Sequence, residues 1–387
     1  MKISKRKITG LKGRETYISL VTSSAYPWRT GTSINTLWRA KSLSDHGYTV
    51  TLYLPWLEET DQKHAFQNGE IFKTQEEQTD LIRKFMEIEE LNFELKYYPA
   101  YFHRTYKSIF TNAPFRRVIE KCDYLLVEDV DHLQAFNPLD NYRKLAGVAV
   151  GILHTNYSQY IASNRKQKGI VPLWFIQTYL RISLLRHCDA VVALSSALYK
   201  VFREAAVVPI NGIPQRFFLE NTPTKKSAYF CGKLIKEKGL FDLLDLVSHL
   251  PFKLDLDLYG IEGNLAALTD YAAHKNLEFS YKGITAQPHV DLAAYKIFIN
   301  PSKSEVFCTT TAEALAMGKF VIIPRHKSNL YFCKFKNCLT YVSTREFVEV
   351  VTYALNHEPE QDAHLVDLSW EKATGRLLDF LRTVKRR

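Results

Sequence analysis

The sequence predicts an α/β protein of two doubly wound, Rossmann-like domains facing a central cleft, and three observations carry that prediction. Its 387 residues exceed one ordinary core and suit two domains of about 150 to 200 residues each. Short apolar runs alternate with longer amphipathic stretches from end to end, the pattern of parallel strands covered by helices. The composition is globular throughout, with 46% hydrophobic and 24% charged residues and only 16 Gly and 14 Pro.

In the first half, the apolar runs Thr16–Thr22, Thr49–Leu54, Tyr124–Glu128, Val148–His154 and Ala190–Ser195 read as strands, with helices filling most intervals. Between the second and third runs, residues 93–121 interleave seven aromatics (Tyr97, Tyr98, Tyr101, Phe102, Tyr106, Phe110, Phe115) with basic residues including Arg116 and Arg117. Such a mixture suits either a membrane interface or a loop that packs its rings on the sheet and exposes its charges. Leu173–Arg186 is a second interfacial candidate or a core helix.

Two prolines and an Asn-Gly pair in VVPINGIPQRFF (207–218) mark a domain boundary, which divides the chain into residues 1–207 and 208–369. A second series follows: strand Ala228–Cys231, helix Leu240–His249, strand Lys253–Tyr259, helix Leu265–His274, strands Phe279–Lys282 and Ile297–Asn300, helix Thr309–Met317 and strand Phe320–Pro324. A last helix, about 370–387, returns to the first domain.

The net charge of +10 favours an anionic partner, but no RNP, helix-turn-helix, zinc-finger or basic-heptad signature accompanies it, so no nucleic-acid partner is predicted. The six cysteines form no CxxC pair and read as reduced core residues. His326, Cys333 and Cys338 lack both the spacing and the fourth ligand of a zinc site, so no metal is expected. Neither a signal peptide nor a membrane span is read, which places the protein in the cytoplasm, peripheral on a membrane surface.

Two motifs carry chemistry. In SEVFCTTTAE, Glu305 and Glu313 stand eight positions apart where a strand, a loop and a helix start follow one another. A helix N-terminus there leaves backbone N–H groups free, an arrangement that suits a diphosphate. The two carboxylates suit hydroxyls of a sugar and a ribose. In FCGKLIKEKG, Gly232 turns the chain out of a strand and presents Lys233 and Lys238, cations able to neutralise a leaving diphosphate. Together the motifs call for a nucleotide sugar.

G-K-L-x-x-x-K-G followed by E-x₇-E resembles the donor domain of the family 4 retaining GT-B glycosyltransferases. PWRTGT (27–32), VTLYLPWL (50–57), EDVDH (128–132), GILHTNYSQY (151–160) and CTTTAEALAMGK (308–319) resemble the digalactosyldiacylglycerol synthases. The resemblance implies a retaining, metal-independent transfer of galactose from UDP-galactose to monogalactosyldiacylglycerol. The departing diphosphate would accept the proton of the incoming hydroxyl, with no enzyme nucleophile.

By the same resemblance Glu305 would hold donor-sugar hydroxyls, Glu313 the ribose, and Lys233 and Lys238 the diphosphate; the N–H groups of Val306, Phe307, Cys308, Thr309 and Thr310 would add oxyanion-type stabilisation, and His154 would lie near the reacting sugar and acceptor hydroxyl. Gly31, on the loop after the first strand, would let backbone approach donor and acceptor where a Cβ would intrude. Trp28, Thr30, Thr32 and Tyr157 would face the acceptor. Two departures bear on this: Lys233 stands where many family members carry Arg, and Asp129-Val130-Asp131 differs from the E-P-E of the plant galactolipid enzymes. The competing readings are transfer to another glycolipid or a surface polysaccharide, and a non-catalytic sugar-nucleotide binding protein.

Overall fold

The computed structural model describes residues 15–28, 30–66, 69–136, 141–154, 173–199, 201–218, 225–285, 287–303 and 305–386. The chain divides into two compact units. One comprises Met1–Leu194, Leu198–Ile210 and Thr374–Arg387, the other Ser195–Ala197 and Asn211–Ala373.

The first unit is built on an eight-stranded sheet: β1 (Tyr17–Val21), β2 (Thr49–Leu57), β3 (Glu94–His103), β4 (Ser108–Thr111), β5 (Cys122–Glu128), β6 (Ala146–Leu153), β7 (Ala190–Ala193) and β8 (Ala206–Val207), in the order β4-β3-β2-β1-β5-β6-β7-β8. All neighbours pair in parallel except β3 and β4. The central strands are apolar because both faces of a parallel sheet are covered; Leu125, Leu126 and Val127 of β5 are fully buried. The order turns back between β1 and β5, which opens a crevice at their carboxyl ends.

The second unit has six strands, β9 (Lys225–Cys231), β10 (Leu256–Tyr259), β11 (Ser280–Gly283), β12 (Tyr295–Ile299), β13 (Phe320–Pro324) and β14 (Cys338–Tyr341), in the order β11-β10-β9-β12-β13-β14 and parallel throughout. The reversal here lies between β9 and β12. Its core joins Phe230, Ile297, Ile299 and Ile322 of the sheet to Leu243, Leu268, Phe347 and Val351 of the covering helices.

The helices that position the sites are α1 (Gly31–Asp45), α2 (Leu173–His187), α3 (Leu240–Val247), α4 (Thr309–Ala316) and α5 (Trp370–Thr383). In α5, Thr374 Oγ1 hydrogen-bonds Ser42 Oγ at 2.8 Å and Arg376 Nε donates to Pro209 O at 2.8 Å, all within the first unit.

Three expectations need correction. Residues 93–121 are not a loop: β3 and β4 form an antiparallel pair at the sheet edge. Most of its rings pack inward, as Tyr98, Phe110 and Phe115 are buried and only Tyr101 and Tyr106 among the seven are largely exposed. Gly31 is not on a loop but is the first residue of α1, whose capping box is closed by Thr30 and Ser33. Between Pro324 and the last helix, where no element was read, come β14 and the helix Thr344–Asn356.

Candidate active site

Both crevices hold the polar residues that the sequence singled out. In the second unit the loop after β9 carries Gly232, Lys233 and Lys238, and the loop after β12 carries Glu305 to Cys308. Gly239 starts α3 with φ 74°, and a Cβ on it would stand 3.0 Å from Pro301 O. Only glycine supplies that conformation at that approach, so the two loops pack directly together. Lys238 Nζ consequently donates to Glu305 Oε1 in a partly buried ion pair.

Lys233 is half-buried beside Lys238, and desolvation first, then the charge of Lys238, pull its ammonium below the ordinary lysine value. A bound anion would relieve the repulsion that Lys233 feels from Lys238. Asn300 fixes the facing loop: its Nδ2 donates to Cys308 Sγ at 3.1 Å and Thr311 Oγ1 at 3.3 Å, and its Oδ1 accepts from the Ser302 N–H at 3.1 Å. Ser304 lies outside the described residues.

Val306, Phe307 and Cys308 turn their side chains into the core, with Phe307 packed on Phe332 at a centroid distance of 5.2 Å. What they can offer a ligand is backbone. Cys308 is the N-cap of α4 but makes no side-chain capping bond, and burial pushes its thiol up. The first N–H groups of a helix have no intrahelical partner, so this end of α4 favours an anion. Thr309 and Thr310 are half-buried at its start. Glu313 lies one turn further, on the face of Thr309. Enclosure by protein pushes its carboxyl up to about 8, with the charge of Arg216 opposing.

In the first unit Glu128 ends β5, and His154 follows β6 directly. Arg39 of α1 is fully buried; its Nε donates to Glu128 Oε1 at 2.6 Å and its Nη1 to Ile210 O at 2.6 Å. His154 Nε2 hydrogen-bonds Glu128 Oε2. Burial would raise the Glu128 carboxyl, but the charges of Arg39 and His154 and their hydrogen bonds hold it at about 2. The ion pair is thus fully formed.

Asp129, with φ 50°, turns its carboxylate under the β1–α1 loop, where Oδ2 accepts from Thr22, Ser23 and Ser24 hydroxyls at 3.3 to 3.4 Å. Thr32 also hydrogen-bonds Asp129, and Thr30 is occupied as the α1 cap, so both expected acceptor-facing threonines have structural partners. Trp28 is half-buried on this loop, its carbonyl accepting from Ser33 Oγ at 2.7 Å. Among the described residues, a Cβ built on Gly31 would meet only Asn35 Nδ2, at 4.0 Å.

Tyr157 lies outside the described residues. Arg116 and Arg117 are exposed on the turn Phe115–Arg117 that follows edge strand β4. Four residues that shape these sites were not singled out from the sequence: Arg39, Asn300 and Arg216, and Glu128 as the partner of His154. Two left a signal, a charge at a core position of α1 and an acid closing the apolar run YLLV. Among the described residues no three His, Cys, Asp or Glu side chains gather as a metal site.

The family model of glycosyl transferases group 1 matches residues 214–365. Digalactosyldiacylglycerol synthase 2, chloroplastic, of Lotus japonicus is 34% identical over 391 residues, which cover 95% of this chain and 83% of that protein. Digalactosyldiacylglycerol synthase 1, chloroplastic, of Arabidopsis thaliana is 34% identical over 388 residues, 94% of this chain; the chain spans about half, 47%, of that relative's length. Among solved structures, Anabaena HepE in complex with UDP and glucose superposes with a TM-score of 0.67 at 13% identity, covering 95% of this chain and 100% of that one. The lipopolysaccharide outer core galactosyltransferase WaaB, apo form, gives 0.58 at 12% identity, covering 95% and 99%. At such identities these structures share the two-domain GT-B fold.

Proposed function

The chain belongs to the digalactosyldiacylglycerol synthase family of glycosyltransferases, and from that premise we propose that it moves galactose from UDP-galactose to monogalactosyldiacylglycerol with retention of the α configuration. The observation that carries this reading is the group at the β9–β12 crevice: Lys238 paired with Glu305, Lys233 beside them, and Glu313 on the helix that opens behind. Two cations and a helix N-terminus match a diphosphate, and two carboxylates match the hydroxyls of a sugar and a ribose. That HepE was crystallised with UDP and glucose supports a UDP-sugar as the donor class.

In this mechanism Lys233 and Lys238 neutralise charge that develops on the departing diphosphate, and Glu305 orients the sugar hydroxyls. The diphosphate oxygen takes the proton of the incoming hydroxyl on the face it leaves. His154 is the residue assigned to the acceptor hydroxyl.

A lipid acceptor requires a surface that meets a bilayer. In place of the hairpin at residues 94–111, the reading rests on α2, where Trp174, Phe175, Tyr179 and Ile182 are 66%, 53%, 46% and 56% exposed. Rings and an aliphatic side chain at this spacing form an interfacial stripe, and Arg186 and His187 lie at the end of the helix. No helix among the described residues is long and apolar enough to cross a membrane.

The test is transfer from labelled UDP-galactose and UDP-glucose, in parallel, to vesicles containing monogalactosyl or monoglucosyl diacylglycerol, with products identified by mass and anomeric NMR. An α-linked second galactose on the galactolipid is the expected product. Donor hydrolysis without a lipid product would redirect the assignment to a soluble acceptor.

A further inference from the structure

The first unit contains a fully buried ion pair that no diphosphate or nucleotide role requires. Arg39 and Glu128 each have a side-chain exposure of 0%, and His154, bonded to the same carboxylate, has 4%. Burying two opposite charges gains little over an apolar pair of similar volume, so such a pair is weak evidence of a stabilising device. It earns its place if the third member needs a fixed, ionised partner.

We infer that Arg39 and Glu128 are positioning residues that hold His154 with its proton on Nε2, leaving Nδ1 as the ring atom offered to a hydroxyl of the reacting sugars. The geometry divides the carboxylate cleanly. Oε1 accepts from Arg39 Nε, and Oε2 meets His154 Nε2. An ionised carboxylate has no proton to give, so Nε2 must donate, whether the imidazole is neutral or charged. Arg39 keeps Glu128 ionised and is itself anchored to the Ile210 carbonyl, which ties α1, β5 and the end of β6 into one frame.

In the neutral ring Nδ1 then has a lone pair and accepts from a sugar hydroxyl; in the charged ring it donates. Asp129 lies close enough to His154 to interact with its charge, while the hydroxyls of Thr22, Ser23, Ser24 and Thr32 occupy its carboxylate. Glu128 is therefore the carboxylate that sets the ring, and Asp129 is engaged with the β1–α1 loop. This inference rests on the transferase reading only for the identity of the hydroxyl; the tautomer is a property of the protein alone.

Two measurements test it. In ¹⁵N-labelled wild-type protein, with the His154 signals identified by their loss in His154→Gln, the imidazole should show a protonated Nε2 and, when neutral, an unprotonated Nδ1. The opposite tautomer overturns the inference without reference to activity. The second measurement is a double-mutant cycle on transfer. Glu128→Gln alone should lower kcat by ~10-fold or more with UDP affinity unchanged, and in the His154→Ala background it should change kcat by less than about twofold, because it acts through the missing ring.

A further tenfold loss in that background would show Glu128 acting independently of His154 and overturn the inference. Because Glu128→Gln leaves Arg39 buried without its counter-charge, Arg39→Met/Glu128→Gln, which removes both charges, repeats the cycle in a neutral frame with the same two outcomes. Wild-type protein that transfers no sugar at all overturns the transferase reading. Transfer that survives His154→Ala unimpaired overturns this inference and leaves that reading standing.

Discussion

Lys238 donates to Glu305 across the β9–β12 crevice, so the residue proposed to neutralise the diphosphate and the one proposed to orient the sugar are bound to each other before any ligand arrives. The pair is partly exposed, at 26% and 14%. Pairs of this kind contribute about 1 kcal/mol or less to stability. Glu305→Gln and Lys238→Ala should thus leave thermal unfolding nearly unchanged while lowering turnover by ~100-fold or more, the scale for losing one charge-stabilising group. Calorimetry and initial rates on the same preparations check both halves. Near-wild-type rates in both variants would remove the assignment.

Glu313 gives the nucleotide step a pH dependence. Its carboxyl, raised to about 8 from its ordinary 4.5, is mostly protonated at neutral pH. Ribose hydroxyls that donate to it favour the ionised form, so UDP binding should release a proton and tighten as pH rises from 6 towards 9. Titration calorimetry in buffers of different ionisation heat measures the proton directly.

The same shift acts on folding. The native state holds this proton between about 4.5 and about 8 whereas the unfolded chain has lost it, so this group makes the ligand-free protein less stable as pH rises through that window. Glu313→Gln should remove that slope, raising ligand-free stability at pH 8 relative to wild type while weakening UDP binding. A Gln variant that keeps both the slope and the affinity would show that the carboxyl is not where the proton sits.

Gly31 separates fold from ligand. Among the described residues nothing comes nearer than 4.0 Å to a Cβ there, and α1 tolerates alanine at its first position, so Gly31→Ala should fold with unchanged stability. If ligand fills that space, the variant should show a raised KM for donor or acceptor. Unaltered kinetics would return Gly31 to a structural role.

Membrane contact through α2 predicts that replacing Trp174, Phe175 and Tyr179 together with Ser lowers co-sedimentation with anionic vesicles, whereas replacing Arg116 and Arg117 with Gln has a smaller effect. Loss of about 1.5 to 3 kcal/mol per buried large side chain makes the triple change decisive. Added salt should weaken binding by the wild type only in part, since the apolar stripe is not screened.

How much of this was legible beforehand differs between elements. The strands Phe320–Pro324 and Ala190–Ala193 announced themselves by unbroken apolar runs. The helix Thr344–Asn356 had its own signals, Ser343 capping Glu346 N–H and Phe347, Val351 and Ala354 on one face, and these went unread. Strand β3 was hidden because a mixed aromatic and basic run has no single period: Tyr98 is buried, its hydroxyl donating to the Thr22 carbonyl, while Tyr101, an odd three residues further and so on the opposite face, is exposed at the edge.

The sequence by itself determined the fold class, the two series of α/β units and the pairing of a glutamate motif with a lysine turn. These depend on local spacing, and local spacing is what a chain records along its length. Tertiary structure alone decided that Lys238 meets Glu305, that Gly239 sits against Pro301, and that Arg39, Glu128 and His154 share one buried carboxylate. Each of those contacts joins residues many positions apart, brought together where a parallel sheet reverses its strand order. The strand order is set by which apolar faces bury one another, a property of the packed whole that no single segment carries.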